Sequence, residues 1–229
     1  MTQLDHALSV QGLIMRMTRL DNLGKPVIDP EASYVTKAFV SVSFTPEYNE
    51  GASIQTVNAS GAKCLNYKIP DTLDSVSLEL SVCAPGPEIT EILAGGSILT
   101  ATIGQEDYNT GWASPKLGSS GREDGSSGVS LEVWSRAAED DHDAYQLPYW
   151  HYLFPKTTLR ASGSRVIEAE NAVANTFEGN ASGNVNFGKG PDGNWAWPAA
   201  TDRPFMWGRV AEDDLPTTFD YVAVTANTP

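Results

Sequence analysis

The stretch "VSLELSVCAPGPEITEILAGG", residues 76 to 96, constrains the fold more than any other part of the chain. Val76, Leu78, Leu80 and Val82 alternate with Ser77, Glu79, Ser81 and Cys83, the period of a strand with one buried face. Ile89, Ile92 and Leu93 then recur at spacings of three and four, the period of a helix. Gly86 is placed as N-cap, Pro87 as first helical residue, Glu88 and Glu91 in the early helix where the dipole favours acids, and Gly95 as a left-handed C-cap. A phosphate-binding turn has its glycines before the helix, whereas Gly95 and Gly96 follow it. The spacing therefore predicts a half-buried strand and a helix over 87–94 that covers the same core.

The rest of the chain is read mainly as strands. They are expected at residues 12–20, 34–45, 97–103, 129–137, 149–161 and 218–224, with a hairpin over 53–69 around the turn "ASGA". Residues 165–178 fit helix and strand almost equally and are assigned to strand, because Asn and Thr weaken a helix. Residues 104–128, rich in Gly and Ser, and 179–208, which carry Trp195, Trp197 and Trp207, are expected to be long irregular insertions. Twenty glycines and 14 prolines among 229 residues suit many turns. The chain is thus read as mainly β, with one helix and long loops, in a single domain over 1–229.

Lys and Arg number 15 against 29 Asp and Glu, giving a net charge of −14. That balance argues against gripping nucleic acid by its phosphates and against an anionic membrane surface. The N-terminal "MTQLDHALSVQGLIMRM" does not resemble a secretory signal, and no apolar run approaches a membrane span. Cys64 and Cys83 are too few for a disulfide framework and are expected as buried free thiols in a reducing compartment.

No catalytic, cofactor or metal site is expected. The cluster "AEDDHDAYQLPYWH" brings Glu139, Asp140, Asp141, His142 and Asp143 together without EF-hand or paired-histidine spacing, and reads as a solvated loop. His6, His142 and His151 are not accompanied by a Gly-x-Ser-x-Gly elbow. "GKGPDG" lacks the ending of a P-loop. Trp195 and Trp197 project to one side of an extended segment, as a sugar-stacking platform would, so a carbohydrate-binding sandwich stands as the alternative reading. With Trp207 they are equally suited to docking on protein. Two sequons, Asn58-Ala-Ser60 and Asn180-Ala-Ser182, matter only in a glycosylating compartment.

"GLIMRMTRLDNLG", "SYVTKAFVSVSFTPEY", "CLNYKIPDTL" and "VSLELSVCAPGPEITEILAGG", in that order, resemble the major tail tube proteins of long-tailed bacteriophages (siphoviruses), particularly those of actinobacteria, over roughly residues 10–100. The resemblance implies a fold of two packed β-sheets flanked by one helix, and a virion structural protein rather than an enzyme, assembled in the host cytoplasm; beside it, the carbohydrate-binding alternative would be a virion decoration protein. Its hexameric rings would stack into a tube around the tape-measure protein and meet tail terminator and distal tail proteins. Double-stranded viral DNA would pass through at genome ejection without specific binding. Glu79 and Glu132, polar positions inside apolar strands, are the candidate lumen-facing acids, and Trp195, Trp197 and Trp207 the candidate interface aromatics.

Overall fold

A computed structural model describes residues 8–83, 86–119, 122, 125–138, 147–163, 175–193, 195 and 202–225. The strands are β1 (Leu8–Leu20), β2 (Ser33–Thr36), β3 (Phe39–Asn49), β4 (Ser53–Val57), β5 (Lys63–Lys68) and β6 (Thr72–Val82). After α1 (Pro87–Ala94) come β7 (Ser97–Ile103), β8 (Glu106–Ala113), β9 (Gly128–Ala138), β10 (Tyr149–Ser162), β11 (Asn175–Ser182), β12 (Met206–Val210) and β13 (Asp220–Val222). The protein is mainly β with a single α-helix, and its pairings are antiparallel.

Nine strands form one continuous sheet in the order β13-β2-β1-β9-β10-β11-β6-β3, with β12 beside β10. The expected two layers are the two halves of this sheet curled towards each other. Phe44 of β3 lies 5.4 Å from Phe154 of β10, although β6 and β11 separate those strands in the ladder. Met15 and Met17 of β1, Leu131 of β9, Phe177 of β11 and Leu78 and Leu80 of β6 share one core with Ile89, Ile92 and Leu93 of α1.

The curl pivots on β10. Its first half pairs with β12 (Leu153↔Met206) and its second with β11 (Lys156↔Ser182) along the same edge. Pro155, which has no N–H to donate, sits at the switch, within a register shift between Phe154 and Thr157.

The helix forms where its spacing predicts. Glu91 pairs with Arg19 of β1, and Arg122 donates to the terminal carbonyls of Ile92 (3.4 Å) and Leu93 (2.9 Å). The Gly-Gly pair closes it. Gly95 adopts φ 73 and ψ −163, outside the left-handed helical well and open in practice only to glycine. At Gly96 (φ +97) a Cβ would stand 2.3 Å from the Ala113 carbonyl oxygen, so the chain leaves the helix in close contact with β8.

Four expectations are corrected. Residues 106–113 are the strand β8, not loop, so the irregular segment begins at 114. The strand over 34–45 is two strands, broken at Lys37 and Ala38, where the Ala38 N–H bonds the Thr36 hydroxyl (3.0 Å). Residues 179–208 are not wholly irregular, since β11 runs to Ser182 and β12 starts at Met206. Cys64 and Cys83 are free, as expected, but exposed.

Candidate functional site: a hydroxyl-rich sheet face

The half-sheet β10-β11-β6-β3 is apolar on one side and polar on the other. Antiparallel register sets directly paired residues on the same face. The rows on the outer side read Ser41–Ser81–Thr176–Ser162, Ser43–Glu79–Glu178–Arg160 and Thr45–Ser77–Asn180–Thr158, with Glu47–Ser75 and Ser182–Lys156 continuing them. None of these side chains belongs to a buried residue, whereas the intervening Val76, Leu78, Leu80, Phe177 and Leu159 are core. This alternation is the pattern of a sheet with one wet face.

Hydroxyls dominate the surface and its charges are few. The acids are Glu47, Asp74, Glu79 and Glu178, the bases Lys156 and Arg160. Arg160 donates to Glu178 at 3.0 Å. The Glu178 carboxyl is held below its usual range by a hydrogen bond from Ser162 and by the Arg160 guanidinium. Glu79 sits exposed beside this pair, in register with Glu178. A groove of about 1060 Å³ runs over Ser43, Thr45, Ser77, Glu79, Glu178 and Asn180 to Trp112 and Arg122 at its rim.

Both edges of this half-sheet are open among the described residues. β3 pairs only with β6 along its whole length. On the other side, β9 accompanies β10 only as far as Thr157↔Val129, leaving Thr158–Ser162 with β11 alone. Backbone donors and acceptors at such edges are templates for another strand.

Glu132 lies elsewhere, and the structure moves it out of the lumen-facing expectation. It is 2% exposed, on the second face of β9. That face is covered by Phe187 and Trp195, packed on Leu20 and Leu153, and by Val210, packed on Ile14 and Trp134. Glu132 accepts from Arg16 Nε (2.6 Å), an Arg16 terminal nitrogen (2.8 Å) and His151 Nε2 (3.1 Å). Arg16 also pairs with Asp192 of the covering loop, and its guanidinium lies 5.4 Å from the Trp134 ring. His151 stacks on Trp134 at 4.3 Å and meets Trp195 edge-on at 4.9 Å. Burial alone would push the Glu132 carboxyl up, but Arg16 and His151 bring it down to about 2. Arg16 is correspondingly held more firmly protonated, against the burial that opposes its charge. Arg16, Glu132 and His151 are sealed from solvent, and the pairing of Arg16 with the more exposed Asp192 fastens the covering loop to the sheet.

The aromatics divide. Trp195 is 4% exposed and part of that second core, so it offers nothing to a partner. Trp207 on β12 is 56% exposed, its ring 5.1 Å from Trp150. Trp197 and the acidic cluster at 139–143 lie outside the described residues, as does His6. Among the described residues, no group of three or more His, Cys, Asp or Glu converges as a metal set.

Sequence reasoning passed over the buried network and the polar face as a unit. Arg16, Glu132 and His151 are each an ionisable residue inside a strongly apolar strand, "LIMRMTRL", "VSLEVW" and "YWHYLF", and that shared oddity was the available signal. No protein-family model matches the chain, and no curated protein matches it.

Proposed function

We propose that this chain is a tail tube subunit of a long-tailed bacteriophage, a scaffold whose copies join edge to edge into rings that stack into a channel for DNA. The observation that carries the reading is a half-sheet with a predominantly polar outer face and two edges that no strand pairs with among the described residues. Pairing β3 of one copy with Thr158–Ser162 of the next continues the sheet from subunit to subunit, and closure into a ring removes both edges. Six copies of four strands give about 24 strands. At ~4.8 Å between strands and a tilt of about 40°, the barrel has a backbone diameter of roughly 45–50 Å, wide enough inside for a duplex.

The wall would then be the hydroxyl-rich face, with Glu79 in the channel. Hydrated Ser and Thr side chains make no charged contact with phosphate, and the bases there are too few to hold it. The carbohydrate-binding alternative loses its platform with the burial of Trp195.

Negative-stain microscopy of the purified, concentrated protein, alone and with the co-expressed tape-measure protein, tests the proposal. Rings or tubes are the expected result. A monodisperse monomer under both conditions refutes it.

A further inference from the structure

The sheet edge at Thr158–Ser162 is one wall of a slot. Successive residues of a strand turn their backbone groups to alternate sides. The Thr158 carbonyl oxygen lies on the β11 side, 1.9 Å from where a Cβ on Gly179 would stand. The Thr157 oxygen lies on the β9 side, 2.5 Å from where one on Gly128 would stand. Leu159 and Ala161 therefore turn N–H and C=O away from β11, towards the place that a longer β9 would fill. Gly128 keeps that place clear. At φ +146, a conformation that suits glycine, it diverts the preceding chain from β10, and the Ser127 N–H bonds the Leu20 carbonyl of β1 instead (3.2 Å). Trp112, Ser114, Pro115 and Arg122 form the second wall. It is tied to the end of α1, where Trp112 donates to the Gly95 carbonyl (2.8 Å) and Arg122 to that of Leu93 (2.9 Å).

β3 carries the matching edge. The Thr45 carbonyl accepts from the Ser77 hydroxyl (3.4 Å) and so faces β6. By alternation Val42 and Phe44 turn their N–H and C=O outwards, as does Pro46, which has no N–H and ends the row of donors. We propose that β3 of a second copy seats in the slot antiparallel to β10, its Val42 and Phe44 backbone bonding Leu159 and Ala161 while the Trp112–Ser114 wall clasps it. This contact rests on the self-assembly reading and adds to it the backbone groups that meet, the clasping wall, and Gly128 as the residue that keeps the slot open. Strand direction alternates from β3 through β6 and β11 to β10, so copies related by rotation about one axis bring β3 and β10 together antiparallel. Val42 and Phe44 then join Leu159 on the apolar face, and Ser43 and Thr45 join Thr158 and Ser162 on the hydroxyl face. Two slots do not suit each other, because a two-fold contact through Leu159 and Ala161 sets Arg160 directly opposite Arg160. Two β3 edges together would leave the slot unfilled.

The test uses the full chain in a Cys64→Ser, Cys83→Ser background. Ser114→Cys marks the slot and Ser41→Cys the strand; the two variants are mixed and treated with a flexible bis-maleimide. The expected product is a cross-linked pair that needs both cysteines. Ala161→Pro removes an N–H that faces only the neighbour. In the slot-marked copy it should reduce the product about tenfold or more, and in the strand-marked copy it should leave the product unchanged. The Ala161→Pro subunit should melt as the wild type does; a lowered melting temperature shows that this N–H is used within the subunit and overturns the assigned edge. Product through Ser41→Cys alone, or blocked equally from either copy, overturns the seating of β3 in the slot. Rings or tubes built from Ala161→Pro protein overturn the slot and leave the tube reading standing. The polarised cross-link without rings or tubes supports the slot and counts against the tube, and the absence of both overturns both.

Discussion

Replacing Glu132 with Gln keeps the volume of the buried side chain and removes its charge. The Arg16 guanidinium, 7% exposed as a residue, then loses its buried counter-ion and keeps only Asp192, whose side chain is 41% exposed. Breaking a buried pair by removing one partner typically costs about 3–5 kcal/mol. An independent route gives a similar figure: lowering the Glu132 carboxyl from 4.5 to about 2 corresponds to roughly 3 kcal/mol at neutral pH. In urea, with a slope of about 2 kcal/mol/M, the unfolding midpoint should fall by roughly 1.5–2.5 M. Trp134 and Trp195 border the site, so fluorescence of the dilute full-length chain reports the transition. The control is Arg16→Met combined with Glu132→Leu, which removes both charges and should recover most of the loss. A shift below about 0.3 M for Glu132→Gln would refute the reasoning, since a solvated Glu132 is the only simple explanation for so small an effect.

Leu93→Ala, at a fully buried position of α1, should lower the stability of the subunit by about 2–5 kcal/mol in the same assay. On acidification, the Glu132 contribution is fully present above its unfolded value near 4.5 and is lost as pH falls towards about 2; wild type should lose stability over that window, and Glu132→Gln should show a shallower acid slope. Gly179→Ala, whose Cβ would lie 1.9 Å from the Thr158 carbonyl oxygen, should force β11 away from β10 and destabilise the subunit by at least about 2 kcal/mol, read as a lowered melting temperature. In the proposed tube, Glu79→Lys should leave assembly intact and slow triggered DNA ejection from virions, most at low salt; release at the wild-type rate at every ionic strength would remove Glu79 from the channel.

Local patterns identified β6 and α1 because their instructions are local: strict alternation, then a helical period bounded by Pro87 and Gly95. β8 was missed because "EDYNTGWA" has no apolar period. Its strand conformation comes from pairing with β7 rather than from burial, and such pairing leaves no mark on the hairpin's own hydropathy. Glu79 and Glu132 look alike in sequence, an acid between apolar neighbours in a strand, yet one is exposed and the other is sealed. Alternation says which side of a strand a residue faces. It does not say whether that side is covered, and here the cover arrives from Phe187, Trp195 and Val210, remote in sequence. Trp195 was misplaced for the same reason, since a tryptophan in a Gly/Asn-rich loop carries no local sign that the loop folds back on the sheet.

The placement of Glu132 also changes how the acidic balance bears on the proposed channel. An acidic wall was the expected use of a net charge of −14, but the polar face holds Glu47, Asp74, Glu79 and Glu178 against Lys156 and Arg160, only two carboxylates in excess. Most of the negative charge therefore lies away from this face. In a closed ring each wall residue is repeated six times and then again along the tube, so a dense carboxylate lining would repel itself before it repelled DNA. A face of Ser, Thr and Asn avoids that cost, and its bound water keeps phosphates from direct contact with the wall. On this argument easy passage depends chiefly on the scarcity of free bases: Arg160 is held by Glu178, and Glu79 stands beside the pair, so the row keeps net negative charge without a strong field.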